Sequence, residues 1–155
     1  MRVAIAPDQT RKLRAALGRG GRHEIGGQLF GEQLAPSHFR ITEVMLQSRP
    51  GTFARFVVDL VDAARNAFGF FEKHGHAYSR FNYIGEWHSH PSFDVAPSST
   101  DRVAMRSLVS DPDFRGSFAV LVIVRLDGDQ LASSATLFDP QGSERAITLE
   151  IEDER

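Results

Sequence analysis

Residues 81–91 read FNYIGEWHSHP. The apolar and aromatic start of this stretch predicts a strand, and Pro91 ends it because proline cannot donate to a ladder. Residues two apart in a strand share a face. His88 and His90 therefore present two imidazoles side by side, about 7 Å apart along the backbone at a rise of ~3.3 Å per residue. Both rings can then converge on one ion at Zn–N distances of about 2.0–2.1 Å. Trp87 and Ser89 point to the opposite face, where Trp87 reads as core. Glu86 shares the histidine face and is expected to support the site or to pair with a nearby Arg.

The chain after Pro91 supplies the third donor. Residues 92–97 read as a loop, and Thr100 to Ser110 as a helix that buries Val103, Ala104, Met105 and Leu108. Ser98 and Asp101 have the spacing of a capping box, Ser98 as N-cap and Asp101 three residues on. A short loop can fold that first helical turn back over the strand end and bring Asp101 to the two imidazoles. Two His and one carboxylate leave a fourth position for water, the open arrangement of a catalytic zinc site. Each piece also has a purely structural alternative, since His-x-His pairs and capping boxes both occur without metal. The joint spacing favours the metal: His-x-His, seven residues, Ser, two residues, Asp.

Further out, hydrophobic periodicity sets the elements. Asp8 is placed as an N-cap before a helix over Gln9 to Leu17, which Gly18, Gly20 and Gly21 end. Glu24 to Gly31 (EIGGQLFG) reads as a Gly-rich strand under tight packing. Phe39 to Leu46 reads as a second strand, with a turn at Arg49-Pro50-Gly51. Val57 to Lys73 carries an apolar stripe at Val57, Leu60, Val61, Ala64, Ala67, Phe68 and Phe71, which predicts an amphipathic helix. Phe118 to Leu126 (FAVLVIVRL) reads as a strand buried on both faces. Leu131 to Asp139 and Ala146 to Ile151 add two more strands. The sum is one domain over residues 1–155, a mixed α/β (α+β) sandwich around a central sheet.

Composition bounds the function. With 155 residues, 41% hydrophobic and 25% charged, the chain reads as a soluble globular domain. A formal charge of -2 gives no electrostatic case for nucleic acid or an anionic membrane as partner. No cysteine is present, so disulfides and thiolate zinc sites are excluded, including the Cys-ligated site of zinc nucleoside deaminases. The N-terminus lacks a signal-peptide pattern and no window matches a membrane span, so the expected location is cytoplasmic. His23, His38, His74 and His76 are expected to face solvent.

The run HSHPSFDVAPSSTD resembles the signature of JAMM (MPN-plus, Mov34/PAD-1-like) metallopeptidases. Glu24 to Gly31 is similar to that family's upstream Glu-x-x-Gly-x-x-x-Gly pattern, with Gly27 and Gly31 in place. The resemblance implies a three-layer, cytidine-deaminase-like arrangement. It implies one catalytic Zn2+ held by His88, His90 and Asp101. It implies Glu24 as the base that takes the proton of the attacking water and passes it to the leaving amine, with the Ser98 hydroxyl steadying the tetrahedral intermediate. It also implies peptide or isopeptide cleavage after the C-terminal glycine of a ubiquitin-like protein.

IGEWHSHP and the PSSTD loop look most like the prokaryotic members. That points to bacterial ubiquitin-like conjugation and CBASS antiphage operons, with activating and conjugating enzymes as further partners. The alternatives are a peptidase that trims sulfur-carrier ubiquitin-like proteins, and a non-catalytic MPN scaffold or RadC-like protein.

Overall fold

The computed structural model describes residues 1–47 and 60–152. The expected turn at Arg49-Pro50-Gly51 and the first residues of the Val57 to Lys73 helix lie outside them. Eight strands and three helices are present among the described residues. In chain order they are β1 (Arg2–Ile5), α1 (Pro7–Gly20), β2 (Gly26–Ala35), β3 (His38–Val44), α2 (Leu60–Lys73), β4 (Phe81–Ser89), α3 (Ser99–Ser110), β5 (Ala119–Asp127), β6 (Gln130–Phe138), β7 (Glu144–Ala146) and β8 (Thr148–Ile151). The strands form one mixed sheet in the order β7-β6-β5-β4-β2-β3-β1-β8. The central mixed sheet with helices on both sides matches the expected class.

The two ends of the sheet come from one short segment. β7 pairs with β6, and β8 pairs with β1. Only Ile147 separates them, and its N–H donates to Ala135 O at 3.0 Å. The sheet therefore curls, and α1 fills its concave face. Leu13 and Leu17 of α1 pack with Val3, Ile5, Leu29, Ile41, Trp87 and Val122 in one core cluster. A second cluster, on the opposite face, joins Met105 and Val109 of α3 to Leu121 and Ile123 of β5 and Phe138 of β6. β5 alternates between the two cores, which explains its unbroken apolar run.

Several boundaries and faces differ from expectation. α1 begins at Pro7, with Ala6 as N-cap and no side-chain cap. Proline suits that position because its missing N–H would have no helical partner there. Asp8 lies in the first turn instead of capping. β1 was not expected, since four residues are too few to show a period.

α3 buries Asp101, Met105 and Val109, while Val103 is exposed. These three are four residues apart, so holding Asp101 inward fixes the rotation of the whole helix and turns Val103 out. In α2, Phe70 is buried and Phe68 is exposed. His74 does not face solvent freely: its ring stacks on Phe81 with centroids 4.0 Å apart. No helix among the described residues is long and apolar enough to cross a membrane.

Candidate metal centre

β4 enters the site between two neighbours. β2 runs antiparallel beside it with Gly26 opposite His88, and β5 runs parallel with Ile123 opposite His88. The glycines of β2 make this approach possible. A Cβ on Gly26 would lie 2.4 Å from Trp87 O, one on Gly27 2.2 Å from Met45 O, and one on Gly31 2.1 Å from Arg40 O. No side chain fits at those distances, so the three glycines let β2 lie close to β3 and β4. Trp87 faces the α1 core and donates its indole N–H to Met45 O at 2.8 Å. Ser89 Oγ accepts from the Ile25 N–H at 3.0 Å. Both point away from the histidine face, as the period of two requires.

His88, His90 and Asp101 come together, each at least 97% buried. His88 Nε2 lies 3.0 Å from His90 Nε2 and 3.4 Å from Asp101 Oδ1. His90 Nε2 lies 3.5 Å from Asp101 Oδ2. A tetrahedral zinc site with metal–ligand distances near 2.0–2.1 Å has edges of about 3.3–3.4 Å. The observed separations, 3.0 to 3.5 Å, lie around that edge, with Asp101 turning a different oxygen to each histidine. This is also the only such cluster of potential ligands among the described residues, so the His74-x-His76 repeat forms no second site.

The proton inventory fits a cation as well. His90 Nδ1 sits 2.6 Å from the Asp94 carbonyl, which can only accept. Nδ1 therefore donates to it, and Nε2 faces the centre. A ligating His held through its other nitrogen is the usual supporting arrangement in metal sites. Burial pushes the Asp101 carboxyl up, but hydrogen bonds with His88 and with the Ser98 N–H and hydroxyl outweigh it and hold the carboxyl below its ordinary range. The Ser98 N–H donates to Asp101 Oδ2 at 2.6 Å, and the Asp101 N–H donates to Ser98 Oγ at 3.2 Å. The capping box is thus present together with the metal-ligand geometry. Asp101 Oδ1 faces His88, while Oδ2 faces His90 and also closes the helix end.

Ser98 is exposed at the mouth of the centre. Its hydroxyl oxygen accepts from the Asp101 N–H. Glu24 is half-buried just before β2. The Ser89 N–H donates to Ile25 O, so the β2–β4 register continues past Gly26 opposite His88. Glu24 directly precedes Ile25 in this pairing.

Among the described residues, Glu86 pairs with Tyr83 and with no arginine. Its carboxylate takes the Tyr83 hydroxyl at 2.7 Å in a closed environment. Burial raises its pKa to about 8, against the lowering effect of that hydrogen bond. Tyr83 is three residues away and would face the other side of a regular strand. A register shift between Leu29–Gly85 and Phe30–Tyr83 leaves Ile84 as an extra residue in β4, and this bulge turns Tyr83 to the Glu86 face. The Tyr83 contact and the Asp94 carbonyl carry no signal in the sequence: one depends on a bulge and the other on a backbone atom.

The family described as prokaryotic homologs of the JAB domain matches residues 7–136. No curated protein matches the chain. Among solved structures, the chain is similar to a protein from Desulfitobacterium hafniense, with a TM-score of 0.66 and 16% identity over 98% of this chain and 94% of that one. It is also similar to a protein from Salinibacter ruber, with a TM-score of 0.55 and 20% identity over 98% of this chain and 93% of that one. At these identities the likeness concerns the fold. The family match spans α1 through most of β6 and includes all three candidate ligands, Glu24 and Ser98, and on that extent the chain belongs to the prokaryotic homologs of the JAB domain.

Proposed function

We propose that this chain is a zinc-dependent peptidase that cleaves after the C-terminal glycine of a ubiquitin-like protein. The observation that carries the reading is the buried cluster of His88, His90 and Asp101, whose candidate ligand atoms lie within 4.8 Å of one another. A zinc ion held there supplies Lewis acidity and makes water readily deprotonated near neutral pH.

The protein's own groups divide the remaining work. Glu24, half-buried just before β2, accepts the proton of the attacking water and returns it to the leaving amine. The Ser98 hydroxyl, beside Asp101, donates to the oxyanion. An extended glycine-ended tail suits a narrow approach between strands, where bulky side chains would be refused. By its likeness to prokaryotic JAMM proteins, the reading extends to a bacterial antiphage conjugation system, with activating and conjugating enzymes beside the substrate.

The test uses recombinant ubiquitin-like proteins extended at their C-terminal glycine by a short peptide, and the same proteins joined to lysine. Cleavage by the zinc-loaded wild type, with Glu24→Ala keeping one zinc per chain and losing at least a hundredfold in rate, is the expected result. Zinc binding with no cleavage of any member of the panel would favour a scaffold role. Cleavage restricted to sulfur-carrier precursors would move the substrate class. Glu24→Ala cleaving at the wild-type rate would remove Glu24 from the mechanism.

A further inference from the structure

The connection between β4 and α3, residues 90–98, has no regular secondary structure. Its carbonyls therefore lack ladder partners, yet four of them are taken by side chains of four different elements and segments. Asp94 O accepts from His90 Nδ1 at 2.6 Å. Phe93 O accepts from Arg125 Nη1 at 2.8 Å. Val95 O accepts from the Ser134 hydroxyl. Pro97 O accepts from Arg102 Nη1 at 2.6 Å.

Arg125 is itself immobilised. Its Nε and Nη2 donate to Asp127 Oδ1 and Oδ2 at 2.9 and 2.8 Å, a two-pronged pair across one strand period of β5. The third donor group, Nη1, is thereby aimed at the loop. The Phe93 ring, carried by the same held peptide, lies 4.6 Å from the His90 ring.

The geometry points to Arg125 as a positioning residue of the metal centre. It fixes the Phe93 peptide, and Ser134 fixes the Val95 peptide, so the Asp94 carbonyl between them stays where it holds His90 Nδ1–H. His90 Nε2 then remains aimed at His88 and Asp101. Arg125 touches none of the ligand atoms and acts only through the loop.

This inference rests on the metal-centre reading above and adds a residue to it. Arg125 lies near the C-terminal end of β5 with 24% of its side chain exposed. Its truncation opens no core cavity, so a loop effect and a folding effect can be told apart.

Three measurements make the test on full-length protein. They are Zn2+ affinity by competition with a chromophoric chelator, thermal unfolding of the EDTA-treated protein, and 15N NMR of the His90 imidazole in that zinc-free form. Arg125→Ala should weaken zinc binding by about 10–100-fold, the range seen when the support of a metal ligand is removed. Its zinc-free unfolding midpoint should stay within a few degrees of wild type. The His90 signal should change from the Nδ1-protonated tautomer to a mixture. Arg125→Lys keeps one cationic donor without the fork and should bind zinc with intermediate affinity; it carries the test alone if Arg125→Ala does not fold.

Zinc affinity within about twofold of wild type for both variants overturns the proposal. A loss of affinity matched by a collapse of zinc-free stability also overturns it, because the role is then structural. If the wild type itself binds no zinc, the metal-centre reading falls and takes this inference with it. A wild type that binds and a variant that binds equally sink only the inference.

Discussion

Glu86 and His88 occupy the same face of β4, two residues apart, and their surroundings make opposite demands. His88 meets a carboxylate; Glu86 meets a phenol and apolar walls. A carboxyl whose pKa rises from 4.5 to about 8 on folding is protonated in the native state while the unfolded chain ionises. Unfolding then releases a proton. The stabilising share of the neutral carboxyl is complete below pH 4.5 and is lost as pH rises toward 8, at up to about 1.4 kcal/mol per pH unit. Glu86→Gln keeps an acceptor for Tyr83 and removes that slope. In urea titrations of zinc-free protein, the variant should gain on wild type steadily from pH 5 to pH 8. A constant difference across that range would show that Glu86 ionises normally. At the centre itself, His88→Ala removes one corner of a three-donor site. Elemental analysis after dialysis should show well under one zinc per chain, against one for wild type.

At the scale of elements, β2 and α3 show how local rules and long-range contact share control. The glycine spacing of β2 announces tight packing, and the structure names the partners: Met45 O beside Gly27 and Arg40 O beside Gly31. Both obstacles are backbone, so neither can rotate away. Gly31→Ala should cost about 2–3 kcal/mol or more, toward the upper end for overpacked cores, read as a lowered denaturation midpoint with an unchanged m-value. A loss under 0.5 kcal/mol would mean that β3 can retreat freely. In α3, the capping box marks the helix start in sequence, but the rotation of the helix is set by Asp101 facing the histidines. That is why the apolar Val103 ends exposed while Met105 is buried.

Across the whole molecule, the three candidate ligands come from β4, from the residue that follows it, and from α3. An ion bound between them ties the second core cluster to the sheet and binds only the folded arrangement. Native-state binding at 100 times its dissociation constant adds about 2.7 kcal/mol of stability. Zinc should therefore raise the unfolding midpoint of the EDTA-treated protein by several degrees, and calcium should not, because two imidazoles suit zinc and not a hard oxygen-seeking ion. An equal shift with both ions, or none with zinc, would contradict the donor set read here.

By itself, the sequence determined most of the elements and singled out the candidate trio that the fold brings together. His88 and His90 follow from the period of two, and Asp101 from a capping box at a fixed distance. The buried β5 run and the glycine-rich β2 follow from composition and spacing. These are short-range facts, written in neighbouring residues. Tertiary structure alone decided the closure of the sheet through Ile147, the place of the four-residue β1, the rotation of α2 and α3, and the bulge that gives Glu86 a tyrosine instead of an arginine. It also decided the loop carbonyls that hold His90. Each of those depends on contacts between residues far apart in the chain, or on backbone atoms that every residue shares. Local pattern has no means of recording either.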